Sequence, residues 1–260
     1  MQHCFEGYIV PMRTTPESWE RRFRGEHLDP FASRIYERDG QAVGVLFICR
    51  RGWSSRVGGM AVAADARGHG LGRRVMLDAI DQARARGDHA LLLEVIEQNT
   101  PAVKLYKSLG FRVARRLVGY RWEPVPLDGP AGALREIDPL ELARVAAREG
   151  EPELPWMLEA ETLSAATLPA RAFALEDRAF ALVLNPDAET LTISALVVPR
   201  AHRRQGWGTR MLRALAAAFP GKPMQAVAIV PDDLAPEFFA RAGWARQGIS
   251  QLEMGLELGG

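Results

Sequence analysis

The chain has 260 residues, 47% hydrophobic and 25% charged, which suits one large domain or two compact ones and excludes wholesale disorder. Thirty-three Lys and Arg against thirty-two Asp and Glu leave a formal charge of +1, which argues against bulk attachment to nucleic acid but allows a local basic pocket. Cys4 and Cys49 form neither a disulfide framework nor a zinc spacing, no apolar run approaches a membrane span, and the opening residues do not resemble a signal peptide, so a cytoplasmic protein without membrane, nucleic-acid or metal partners is expected.

Taken in order, the sequence predicts a helix over Thr15–Gly25 capped by Thr14 or Thr15, then a hairpin over Phe31–Gly52 turning at Asp39-Gly40. A strand over Arg56–Ala64 feeds the glycine-rich stretch "ARGHGLGRR", and a helix begins near Gly72. "ALLLEVIEQNTPAVKLYKSLGF" (Ala90–Phe111) reads as strand, turn and a short helix ending at a glycine cap. "WEPVPLDGPAG" (Trp122–Gly132) packs three prolines and two glycines into eleven residues and reads as a linker. Beyond it come a strand (Ala133–Ile137), a helix with an Asp138 cap and Pro139 at its first position, and a helix over Pro155–Ala166. A hairpin through "RAFALED" and "RAFALVLNP" and a strand over Thr190–Val198 lead into a second glycine turn.

The chain repeats itself. Arg67, Gly70 and Gly72 recur as Arg203, Gly206 and Gly208 at an offset of 136, and Gly110-Phe111 recurs as Gly243-Trp244 at an offset of 133. Two landmarks in one order at nearly one offset indicate a tandem duplication, with domains expected at 1–124 and 133–260 and a linker at 125–132. Nothing before Phe5 corresponds to the strand and helix that open the second repeat. Either the first repeat lost them or the true start lies upstream.

In "ARGHGLGRR" the glycines at 68, 70 and 72 permit left-handed backbone, and amides converge at a helix N-terminus that favours an anion. Arg67, Arg73 and Arg74 add positive charge. The stretch lacks the Gly-Lys-Ser/Thr of a Walker loop and makes a poor dinucleotide fingerprint, because Arg73 stands where the third glycine would fall. These residues alone leave two readings open, a pyrophosphate site and a merely tight strand–helix turn.

"RGHGLG" fits the [QR]-x-x-G-x-[GA] acetyl-coenzyme-A motif of the GCN5-related N-acetyltransferases, and "LEVIEQNTPAVKLYKSLGF" resembles their second motif. The resemblance spans residues 61–111 closely and residues 15–120 in coarse pattern. It implies an α/β sandwich of two tandem folds, each a mostly antiparallel sheet with a splayed central parallel pair flanked by helices. By the same resemblance, Met60, Ala61, Val62 and Ala63 would line the pantetheine, and Arg67, Gly68, His69, Gly70, Leu71, Gly72 and Arg73 would surround the pyrophosphate. Asn99 and Ala102 would support the coenzyme arm, Tyr106 would protonate the departing thiolate, and an N–H near Ala61 or Val62 would meet the oxyanion. Acetyl-CoA would be the donor, coenzyme A a product, and a small-molecule or protein amine the acceptor.

The strand before the glycine turn carries no carboxylate. Glu94, twelve residues before Tyr106, matches the base of the ribosomal-protein N-terminal acetyltransferases that this fragment resembles, and a structural carboxylate paired with a neighbouring Arg is the equal alternative. Glu97 is a reserve. Gly58 and Gly59 suggest a bulge, a close approach to substrate, or a tight bend without ligand contact. In the second repeat "RRQGWG" keeps the first motif through Arg203, Arg204, Gly206 and Gly208, a possible vestigial coenzyme site. Phe239 stands opposite Tyr106, Asp232 opposite Asn99 and Val227 opposite Glu94, so this repeat is expected to be catalytically silent. A non-catalytic acyl-CoA sensor is the rival reading for the whole chain. After its Gly-aromatic landmark each repeat has room for one long strand or for a strand with a cramped return. The halves are therefore expected to pack through these edges and to exchange or share terminal strands.

Overall fold

The computed structural model describes residues 2–5, 15–126 and 132–259. In chain order its elements are α1 (Pro16–Glu26), β1 (Leu28–Arg38), β2 (Gln41–Arg51), β3 (Ser54–Val62), α2 (Leu71–Ala85), β4 (Ala90–Ile96), α3 (Thr100–Ser108) and β5 (Arg112–Trp122). There follow β6 (Arg135–Ile137), α4 (Pro139–Glu149), α5 (Ala160–Ser164), β7 (Arg171–Leu175), β8 (Ala179–Val183), β9 (Leu191–Val197), α6 (Trp207–Ala218), β10 (Met224–Pro231), α7 (Pro236–Arg241) and β11 (Ala245–Glu257). Local chemistry sets many of these boundaries. Thr15 caps α1 through a reciprocal capping box with Ser18, and Asp138 accepts from the Leu140 N–H at 2.8 Å at the start of α4. Asp39 and Gly40 both take positive φ, the backbone that a two-residue hairpin turn requires. The expected Thr14 cap lies outside the described residues.

The helix expected over Pro155–Ala166 is broken. A 3-10 turn (Trp156–Leu158) precedes α5, and Glu159 between them is extended. Thr162 Oγ1 donates to the Trp156 carbonyl, taking an acceptor that a continuous helix would have given to a backbone N–H.

Two compact units emerge, one of Met1–Arg115 with Gln251–Gly260 and the other of Arg116–Ser250. They differ from contiguous halves at 1–124 and 133–260, because β5 begins in the first unit and ends in the second, and β11 does the reverse. The reason is the shortage of strands after each Gly-aromatic landmark. A sheet ending at β4 or β10 would present open hydrogen-bonding groups. In the first unit Gln251–Glu257 runs antiparallel along Ile96–Ala90 and closes the edge of β4. In the second unit Leu117–Trp122 does the same for β10. Terminal strands are thus exchanged. Of the expected linker, residues 127–131 lie outside the described residues.

The first unit has strand order β1-β2-β3-β4-β11, antiparallel except for β3 and β4. Val75, Met76, Ala79, Ile80 and Ala83 give α2 one apolar face, buried with Leu46, Leu91, Leu93, Tyr106, Phe111 and Met254. Each large side chain so buried contributes about 1.5–3 kcal/mol of transfer free energy. The second unit has strand order β6-β7-β8-β9-β10-β5, antiparallel except for β9 and β10. Its core gathers Trp207, Met211 and Leu215 of α6 with Leu191, Met224, Tyr120 and Trp244.

Candidate active site

In the first unit the two parallel strands meet and then part. β3 pairs with β4 from Ser54 opposite Ala90 to Val57 opposite Leu93, while β3 stays paired with β2 through Val62. Beyond Leu93, Glu94, Val95 and Ile96 pair with β11. The edge of β3 that carries Met60, Ala61 and Val62 has therefore left β4, the splay expected from sequence. Gly58 marks the departure. Phe47 opposes Gly59 and Ile48 opposes Val57, so Gly58 is the extra residue of a bulge. A Cβ there would stand 2.7 Å from Cys49 Sγ and 3.3 Å from Glu26 Oε2, so only glycine fits without a shift.

The glycine turn follows the splayed segment. Ala63 donates to the Val43 carbonyl, and a 3-10 turn (Ala64–Ala66) leads to Arg67. Arg67 Nε donates to the Val62 carbonyl at 2.9 Å, which ties the turn back to the end of β3. Gly68 and Gly70 have φ of 80° and 76° with open space around a notional Cβ, so the backbone conformation is what requires glycine there. Gly70 is the N-cap of α2, and no side chain caps this helix. The amides of Leu71, Gly72 and Arg73 therefore start a helix whose positive end is available to an anion. His69 is exposed, and Arg73 Nη1 donates to Ser108 Oγ at 3.0 Å.

Asn99 is the N-cap of α3, its side chain accepting from the Ala102 N–H at 3.4 Å. Tyr106, on the last turn of α3, is buried in the core of the first unit with its ring 5.9 Å from that of Phe111. Gly110 has φ of 94° beyond the helix end, as the glycine cap expected.

Glu94 is the first residue of β4 past its pairing with β3, and Arg56 stands just before the end of that pairing. Arg56 Nε lies 2.7 Å and 3.0 Å from the two Glu94 oxygens, and Nη2 lies 2.6 Å from Oε2. Arg56 Nη1 reaches Glu26 Oε2 at 2.7 Å, and Arg22 Nε reaches Glu26 Oε1 at 2.6 Å. Arg22 Nη2 also donates to the carbonyl of Gly58 in the bulge at 2.5 Å. The side chains of Arg56, Glu26 and Glu94 are 8%, 9% and 7% exposed, so the ion pairs at the fork are buried. Burial pushes the Glu26 carboxyl up, and Arg56 and Arg22 outweigh it, holding the group below the usual carboxylate range. Burial pushes the neighbouring Cys49 thiol up to about 12, against the pull of Arg56. The thiol is therefore held protonated.

Sequence reasoning found Glu94 and anticipated an Arg partner, but missed Arg56, Glu26 and Arg22 as a group. A weak signal existed. Trp19, Arg22, Phe23 and Glu26 share one face of α1, and charges set among aromatics on a packing face call for partners.

The second unit preserves part of this design. Leu191 and Thr192 of β9 pair in parallel with Met224 and Gln225 of β10. Arg203 Nε donates to the Val198 carbonyl at 3.0 Å, repeating the Arg67–Val62 contact at the same offset. Gly206 (φ 84°) caps α6 without a side-chain cap. Here the likeness ends. Arg204 takes the place of Gly68 and adopts a φ of 61°, which is costly for a residue with a Cβ. The Arg203 guanidinium is held by Glu151 and by the Glu149 carbonyl. Phe238 replaces Leu105 and crowds Gly208, where a Cβ would stand 2.9 Å from its ring, against 3.6 Å between Gly72 and Leu105. Phe239 stacks on Tyr120 at 3.9 Å, and Asp232, opposite Asn99, pairs with Arg246 at 2.7 Å.

Among the described residues no group of three or more His, Cys, Asp and Glu could hold a metal, and no helix is long and apolar enough to cross a membrane.

Comparison with known proteins agrees with this geometry. Residues 2–111 match the model of the Acetyltransferase (GNAT) family. Streptothricin acetyltransferase of Streptomyces lavendulae is 36% identical over 89 residues, 34% of this chain and 47% of that protein. A mycothiol acetyltransferase of Frankia alni is 35% identical over 112 residues, 38% of this chain and 34% of that protein. The chain thus spans less than half the length of these relatives. Among solved structures, a tandem GNAT protein from the clavulanic acid biosynthesis pathway aligns with a TM-score of 0.65 at 17% identity, covering 100% of this chain and 93% of that one. A GCN5-related N-acetyltransferase from Sphaerobacter thermophilus aligns at 0.68 and 15% identity, covering 99% and 90%; both likenesses concern the fold. The splayed strands, the uncapped glycine turn and the match to the Acetyltransferase (GNAT) family thus fall together in one unit, within residues 2–111.

Proposed function

We propose that the protein is an N-acetyltransferase that moves an acetyl group from acetyl-CoA to a primary amine, with the chemistry in the first unit. The observation that carries this reading is the conjunction of a β3 edge released from β4 with an uncapped, glycine-opened helix N-terminus directly after it. An elongated ligand with amides along one arm and a pyrophosphate at its end suits that pair of features. When bound, acetyl-CoA supplies the acetyl group as a thioester.

The residues divide the work as follows. Backbone of Met60, Ala61, Val62 and Ala63 lines the pantetheine arm, and an N–H near Ala61 or Val62 faces the developing oxyanion. Amides from Gly68 to Arg73 hold the pyrophosphate. Arg67, bonded to the Val62 carbonyl, shapes the turn. Asn99 caps α3 and, with Ala102, positions the helix that carries Tyr106. The amine nitrogen forms a bond to the thioester carbon, the carbon–sulfur bond breaks, and the Tyr106 hydroxyl delivers a proton to the thiolate. Glu94 takes the amine's proton through water. Its engagement by Arg56 on both oxygens supports the structural role equally, and substitution separates the two.

In the second unit, the occupied guanidinium of Arg203, the Phe238 ring against Gly208 and the absence of a hydroxyl at Phe239 support a non-catalytic role. The residues that face the coenzyme do not select the amine. The names of the matched relatives favour a small-molecule acceptor over a protein N-terminus or lysine.

The test is release of coenzyme A from acetyl-CoA across a panel of aminoglycoside, amino-sugar, amino-acid and peptide amines, with Glu94→Gln alongside. Amine-dependent release is expected. A base role predicts that Glu94→Gln loses the acidic limb of the rate–pH profile, and a structural role predicts a scaled but unshifted profile. Tight coenzyme binding without release for any amine would overturn the enzymatic reading in favour of a sensor.

A further inference from the structure

The second unit contains a cleft of about 460 Å³ between α4 and the 3-10 turn Arg200–His202 that precedes its glycine turn. That volume lies within the range of small-molecule sites. The cleft adjoins the Arg203–Gly208 turn through His202 and Glu149 and shares no residue with it. Arg144 and Arg148 stand one turn apart on α4 and line it together, with His202 also on the wall. Val145 and Phe180, both buried, supply an apolar floor.

The charges here are unevenly spent. Arg135 is occupied by Asp177 at 2.6 Å and Glu141 at 3.3 Å. Glu149 Oε2 accepts from the Arg200 N–H at 3.3 Å, and Arg200 Nη2 donates to the Gly150 carbonyl at 3.2 Å, so the turn is docked on the end of α4. Among the described residues the guanidinium groups of Arg144 and Arg148 have no ion-pair or hydrogen-bond partner. Two free forks therefore face a cleft in which Glu141 and Asp177 are paired with Arg135 and Glu149 accepts one backbone N–H. Among the described residues the first unit has no counterpart of α4.

We propose that this cleft binds a small, multiply charged organic anion. Arg144 and Arg148 hold its charged groups, His202 adds a donor, and its carbon body lies on Val145 and Phe180. Guanidinium forks match phosphate and carboxylate oxygens alike, so the shared chemistry is an oxyanion and the experiment distinguishes its source. The assignment stands apart from the acetyl-transfer reading, since it uses none of the same residues.

The test is calorimetric titration of the full chain with glucose 6-phosphate and with citrate, at constant ionic strength. At least one is expected to saturate below about 10 mM. The double variant Arg144→Gln/Arg148→Gln is expected to weaken that binding by about tenfold or more, the scale of losing charge-assisted hydrogen bonds. Asp177→Asn, which keeps a side chain tolerant of the positive φ at this position, removes one negative charge from the wall and leaves Arg135 paired with Glu141 alone, and is expected to tighten the binding. Saturation by glucose 6-phosphate alone assigns a phosphate monoester, and by citrate alone a polycarboxylate. Absence of saturation with both, undiminished affinity in the double variant, or weakened affinity in Asp177→Asn would each overturn the proposal.

Discussion

Tyr106→Phe is expected to lower the turnover of amine acetylation by about 10²–10⁴-fold, the usual contribution of a positioned general acid, while acetyl-CoA affinity changes little. The asymmetry follows from where the residue sits. Its ring is part of the first unit's core beside Phe111, so the phenyl ring of the variant keeps the packing of α3 and loses only the hydroxyl. The turn that would grip the pyrophosphate, Gly68–Arg73, is built by other residues. Steady-state kinetics with a calorimetric affinity for acetyl-CoA check this. Unchanged turnover would remove Tyr106 from proton transfer and leave it a core aromatic.

Arg56→Met is expected to destabilise the protein by about 3–5 kcal/mol, because it leaves two buried carboxylates without their shared partner. Arg22 remains beside Glu26, but Glu94 loses the guanidinium that touches both of its oxygens. The effect depends on pH in a definite direction. Glu26 has a depressed folded pKa, since Arg56 and Arg22 overcome the upward push of burial. It therefore contributes stability above the ordinary Glu range, and that contribution fades as pH falls through the folded value. Without Arg56, the upward push of burial on Glu26 is opposed by Arg22 alone, and protonation of Glu26 relieves the variant as pH falls. Urea unfolding at pH 7 and pH 5 should show the deficit shrinking on acidification. A deficit below about 1 kcal/mol and independent of pH, the scale of an exposed pair, would contradict a buried hub.

Much of the fold was legible in the sequence because its signals are local. Thr15 and Asp138 announced helix starts, Asp39-Gly40 a hairpin, and Gly68 and Gly70 a backbone that only glycine adopts readily. The duplication was legible because landmarks repeat in order. The strand exchange was anticipated in kind, since a single strand after Gly110 or Gly243 leaves an edge to cover. Its boundary at Arg115/Arg116 was not, because strand membership depends on partners far along the chain. The same limit applies to the site. A bulge was one of the readings the Gly58-Gly59 pair offered, whereas Arg56, Glu26 and Arg22 converge from β3 and α1, and no sequence spacing links them. In the second repeat the loss of a hydroxyl at Phe239 was plain, but the crowding of Gly208 by Phe238 depends on how closely α7 approaches α6.

The central claim is that one repeat of the two is equipped for the coenzyme. Titration of acetyl-CoA into the full chain, wild type and Gly70→Val, tests it most directly. The account predicts one site per chain, lost in Gly70→Val because a β-branched residue cannot hold the positive φ at the head of α2. Two sites per chain, or a single site that survives Gly70→Val in a folded variant, would contradict it.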